Sequence, residues 1–114
     1  MSAALLITSV VAGNVTLAWD PYTSDASVDT IKVYVTRGTN AVFTAGNANA
    51  VLTRTTSVAN TSLTVSNLTS GAWTFVATAI CSTNNLESDN SNTAWTNVFP
   101  GSPKNIRVTT VVVP

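Results

Sequence analysis

Chemistry on a protein needs acid–base groups, nucleophiles or metal ligands within reach of one another, and this chain offers few. Its carboxylates are Asp20, Asp25, Asp29, Glu87 and Asp89, its one thiol is Cys81, and it has no histidine. The lack of imidazole removes the commonest proton shuttle and the commonest metal ligand together. The carboxylates fall in turn-like stretches such as Asp20-Pro21 and Leu86-Glu87-Ser88-Asp89-Asn90, where acidic side chains hydrogen-bond local backbone. Calcium at Glu87 and Asp89 would need about six to eight oxygen ligands, far more than two carboxylates in one loop supply. No catalytic, cofactor-binding or metal residue is assigned, and the chain is read as non-enzymatic.

Composition narrows the partners. Charged residues are 9% of the chain and sum to zero, so no basic field gathers phosphates, and nucleic acid is not expected as a partner. No run of about 18 apolar residues occurs, which argues against membrane insertion. The opening Met1-Ser2-Ala3-Ala4-Leu5-Leu6-Ile7 has no basic residue before its apolar stretch, unlike a secretory signal. Cys81 has no partner for a disulfide and is expected to be a buried, inert thiol. Arg37-Gly38-Thr39 is an arginine before a turn glycine rather than an adhesion tripeptide. The sequons at Asn14, Asn60 and Asn67 would be glycan acceptors in a eukaryotic secreted protein, and chance explains them about as well in a chain so rich in Asn, Ser and Thr.

Any surface these residues offer must be positioned by strands. Val15-Thr16-Leu17-Ala18-Trp19 alternates large apolar with small or polar residues and stops at Asp20-Pro21. Ile31-Lys32-Val33-Tyr34-Val35-Thr36, Thr61 to Ser66 and Trp73 to Ile80 follow, and Asn92 to Val98 closes the set. Val42-Phe43-Thr44 and Val51-Leu52-Thr53 are weaker runs, separated by a small, polar stretch from Ala45 to Ala50 that reads as a mobile surface loop. With Leu5 to Ile7 as the first, about seven strands recur without any helical period, the pattern of an antiparallel sandwich. The expected core is Val15, Leu17, Trp19, Ile31, Val33, Leu63, Val65, Leu68, Trp73, Phe75 and Val98.

Four segments carry a resemblance. Val15-Thr16-Leu17-Ala18-Trp19-Asp20-Pro21 resembles the second strand of fibronectin type III domains with its core tryptophan, and Val28 to Tyr34 resembles the third. Leu68-Thr69-Ser70-Gly71-Ala72-Trp73-Thr74-Phe75 is similar to the corner leading into the sixth strand. Leu86 to Asn92 is similar to the glutamate-serine loop before the last strand in bacterial and phage members. The resemblance implies an all-β, seven-stranded, immunoglobulin-like sandwich over residues 1–99, with residues 100–114 a Pro/Gly linker and strand-like arm. The family usually has tyrosine where this chain has Ile31 and Trp73, and an indole N–H at Trp73 is a candidate replacement for the corner tyrosine's hydroxyl anchor.

Two features suggest an interface. If Ile31, Val33, Phe75 and Ala94 point inward, alternation puts Tyr34, Val76, Ile80 and Trp95 on the outer sheet face, as a patch open to another chain or covered by a loop or by the tail. The tail from Pro100 opens like the linker and first strand of a following module, so Ile106, Val108, Val111, Val112 and Val113 are expected to pair with an edge strand. A module of this kind without a visible signal suggests a phage virion protein, a capsid decoration or tail-associated module assembled in the host cytoplasm. It would bind copies of itself or a shell protein in a symmetric assembly. The alternative is a bacterial surface or secreted spacer, adhesion or carbohydrate-binding accessory module.

Overall fold

The computed structural model describes residues 4–110. Eight strands are present: β1 (Leu6–Val11), β2 (Asn14–Ala18), β3 (Thr30–Arg37), β4 (Leu52–Ser57), β5 (Ser62–Val65), β6 (Gly71–Cys81), β7 (Leu86–Glu87) and β8 (Ala94–Val98). They form two sheets, ordered β1-β2-β5 and β4-β3-β6, with β7 and β8 both pairing the far side of β6. Every pairing is antiparallel. The expected last strand, Asn92 to Val98, begins at Ala94, and the two-residue β7 falls in the stretch read as a loop before it; the second weak apolar run extends to Ser57, whereas Val42-Phe43-Thr44 forms no strand.

Strand patterning builds the core. Val15 and Leu17 from the smaller sheet and Val33, Val35 and Phe75 from the larger are all fully enclosed, and Trp19, Ile31, Trp73 and Val98 close around them. Every expected core residue lies in this cluster, Leu63 only partly buried at its rim. Leu5 joins the core, whereas Leu6 next to it is exposed. Cys81 is buried and unpaired. Apolar burial of this kind contributes about 1.5–3 kcal/mol per large side chain, which lets the fold stand without a crosslink.

The turns have local causes. β1 and β2 join through Ala12 and Gly13, both with positive φ (50° and 88°), the geometry of a tight hairpin matched to strand twist. A side chain at Gly13 would also meet the Leu68 carbonyl at 2.7 Å, so only glycine fits there. Between β7 and β8 the ladder on β6 is kept by serines rather than by regular pairing. Ser88 N donates to Ala79 O while Ser88 Oγ accepts from Ala79 N, at 2.8 and 2.9 Å. Ser91 does the same with Ala77, also at 2.8 and 2.9 Å. The intervening Asp89 and Asn90 bulge outward, and the pairing offset shifts by two residues, from Ile80↔Glu87 to Phe75↔Ala94.

Candidate interaction surfaces

The outer face of the larger sheet is not open. Tyr34 is 7% and Val76 1% exposed, Ile80 is half-buried, and only Trp95, at 41%, reaches solvent substantially. Of the two outcomes the sequence left open, an exposed patch and a covered one, the face takes the second. What covers it is the segment from Gly38 to Val51, the stretch read from sequence as containing a mobile loop. Its polar groups find partners on the sheet: Ala41 N donates to Thr74 Oγ1 at 2.9 Å, Thr74 Oγ1 to Gly38 O at 2.8 Å, and Thr36 Oγ1 to Asn49 O at 3.0 Å. Threonines on an outward face, legible only as strand formers, thus anchor a lid.

The lid is fastened at its far end by an amide pair. Asn47, in the one 3-10 turn (Ala45–Asn47), is buried with φ 56° and exchanges two hydrogen bonds with Asn90, Nδ2 to Oδ1 in each direction, at 2.9 and 2.8 Å. Asparagine tolerates that left-handed backbone, which explains its presence there. Asn90 is available because Ser88 and Ser91 hold the chain on either side of it. Asn49 ties the lid internally, accepting from Thr44 N and donating to Val42 O.

Under the lid's edge a polar cleft of about 400 Å³ is lined by Tyr34, Phe43, Asn47, Thr78, Glu87 and Asp89, among others. Tyr34 Oη and Thr78 Oγ1 both donate to Glu87 Oε2, the latter at 2.6 Å. Burial and the adjacent carboxylate hold the Tyr34 phenol protonated, its pKa pushed up to about 12. Lys32 stacks over the same ring, its Nζ 4.8 Å from the centroid. These hydroxyls are committed to Glu87 and the two amides to each other, while the Asp89 carboxylate also lines the cleft. Among the described residues, no three acidic or thiol side chains converge as metal ligands.

The corner before β6 is anchored by an indole. Trp73 Nε1 donates to Thr69 O at 2.8 Å, filling the place the family gives to a tyrosine hydroxyl. Arg37, directly across the sheet from Trp73, stacks on its ring at 4.1 Å and donates to Ser70 O at 3.1 Å and to Thr69 Oγ1. Gly71 is obligatory beneath it, since with φ 130° a side chain would stand 2.7 Å from Arg37 Nη1. Arg37-Gly38 is therefore a structural element. The loop carboxylates are structural in the same way: Ser27 holds the Asp25 carboxyl below its ordinary range, and Ser82 with Thr30 does so for Asp29.

What remains open is the segment after β8. Residues 100–110 enter no strand, and Ile106 and Val108 are 84% and 78% exposed. Phe99 is exposed as well. Ile106 and Val108 pair with no edge of their own domain, pairing with a neighbour's edge having been the other expectation, and Val111, Val112 and Val113 lie outside the described residues. No helix among the described residues is long and apolar enough to cross a membrane.

No protein-family model matches the sequence, and no curated protein is similar to it. Solved structures are similar in three dimensions. The FN1–FN3 domains of chicken CNTN1 align over 84% of this chain at 15% identity, with a TM-score of 0.64. The fibronectin type-III domain of human fibronectin type III domain containing protein 3 aligns over 91% at 18% identity, with a TM-score of 0.58. This chain has the fibronectin type III fold. It spans 89% of the human domain but only 30% of the chicken chain, which holds several such domains. A fibronectin type III sandwich is a scaffold, and what it does is set by its surfaces.

Proposed function

We propose that this chain is a non-enzymatic assembly module, a fibronectin type III sandwich that binds protein partners through the arm following β8. The observation that carries this reading is the arm. Residues 100–110 enter no strand and hold the β-branched Ile106, Val108, Thr109 and Thr110, with Ile106 and Val108 largely in solvent. Such a segment leaves backbone groups and aliphatic side chains unsatisfied until it adds to a sheet, the usual means by which extended peptides are bound. The outer sheet face supports the same conclusion by exclusion, because the lid has already filled it and only Trp95 at its margin adds exposed area.

A module that holds neighbours by an arm suits a symmetric particle, where every copy donates one segment and receives another. A phage virion, as decoration or tail-associated protein, is the setting we propose. Expressing the full chain and a version lacking residues 103–114 beside the purified particle tests this. The full chain should co-sediment at fixed stoichiometry and the shortened one should stay in solution. Equal binding of both would sink the arm-based reading, and binding of neither would sink the particle setting.

A further inference from the structure

We infer that the arm of one copy adds as an extra strand to the open edge of β1 in a second copy of the same chain. This rests on the assembly reading above and names its docking site. The sandwich has four strand edges, and they are not equally receptive. β4 carries Arg54 at mid-strand, the same sign as the arm's Lys104 and Arg107. β5 has only four residues, and the β7–β8 side is interrupted by the Ser88–Ser91 bulge. β1 is a six-residue edge, Leu6-Ile7-Thr8-Ser9-Val10-Val11; its register shifts between Ile7 and Ser9, Ser9 to Val11 pair regularly with β2, and it has neither charge nor proline.

Natural edges are normally blunted by such residues, and this one instead exposes Leu6 (59%), Val10 (38%) and Val11 (63%). Its partner in kind is the arm, where Ile106 and Val108 are β-branched and exposed in the same way. Six residues of strand cover roughly 20 Å, a length that residues 105–110 match.

Charge points to a second copy as the source of the pairing. Residues 1–99 hold all five carboxylates but only Lys32, Arg37 and Arg54, a net of −2, while the arm holds Lys104 and Arg107, a net of +2. A body and an arm of opposite sign attract between molecules, whereas two bodies repel. Among the described residues, the chain's own arm does not pair with β1. Pro100 and Pro103 favour extended backbone just before them, and the molecule measures 75 Å along its long axis against 27 and 21 Å across.

Sedimentation of the purified full chain over a concentration series tests the docking, with two variants of exposed residues. Ile106→Asp/Val108→Asp alters the arm and Val10→Lys/Val11→Lys alters the β1 edge. The unaltered chain should associate as concentration rises. Each variant should weaken association by more than about tenfold at an unchanged melting midpoint. Mixing the two variants should restore heteroassociation, because one keeps an intact arm and the other an intact edge. If the arm variant dissociates while the β1 variant associates normally, β1 is the wrong edge and the assembly reading stands. If the arm variant associates normally, both fail. A chain that stays monomeric throughout, or whose β1 amides are protected from exchange within the monomer, overturns pairing between copies.

Discussion

Removing the Asn47 side chain should open the lid, and the structure says by how much. Asn47 and Asn90 share two hydrogen bonds in a partly buried setting, each contributing about 0.5–1.5 kcal/mol net, so either alanine substitution should cost roughly 1–3 kcal/mol. Asn47→Ala should cost about 1 kcal/mol more than Asn90→Ala, because only position 47 has a left-handed backbone, φ 56°. The double variant should cost far less than the sum, since both singles break the same pair. Urea denaturation of the four proteins measures this coupling. Additivity within about 0.5 kcal/mol would refute the clamp. An opened lid would also expose Tyr34 to water, so its ionisation should move down from about 12, which absorbance during alkaline titration detects.

Phe75→Ala should destabilise by roughly 3–5 kcal/mol, because Phe75 is fully enclosed between the sheets; a loss under about 1 kcal/mol on chemical denaturation would contradict that packing. Ser88→Ala and Ser91→Ala should each cost about 1–3 kcal/mol by leaving the Ala79 or Ala77 N–H without its acceptor, with faster amide exchange at those two residues as the specific sign. Tyr34 has a folded pKa of about 12, above the ordinary value of about 10, so its contribution is complete below about pH 10 and lost as pH rises toward 12. The stability difference between the unaltered chain and Tyr34→Phe should shrink over that interval.

Alternation made the core legible. Val15, Leu17, Trp19, Ile31, Val33 and Phe75 face inward because a strand reverses its side chains at every residue, and one buried face is enough to fix the register. The same rule correctly placed Tyr34, Val76 and Trp95 on the opposite face but carried no information on what lies above it. The lid was hidden because it forms no strand: Gly38 to Val51 is organised by Asn47, Asn49 and threonine hydroxyls, whose partners at Thr74 and Asn90 are 33 and 43 residues away. Composition that signals mobility in isolation becomes order when the sheet supplies acceptors and donors. The docking of the loop before the last strand onto β6 was hidden for a similar reason, since nothing local marks Ser88 and Ser91 as substitutes for backbone. Asn47 had one readable sign, an Ala-Gly-Asn-Ala turn sequence of the kind that accepts positive φ.

Whether the arm or the outer sheet face joins this molecule to its partners can be read from its mass in solution. The most direct measurement compares the concentration dependence of mass, by sedimentation equilibrium, for the full chain and for the chain lacking residues 103–114. If the arm is the joint, the full chain associates while the shortened one remains a folded monomer with the same melting midpoint. Unchanged association of the shortened chain would contradict it and return the interface to the sandwich itself.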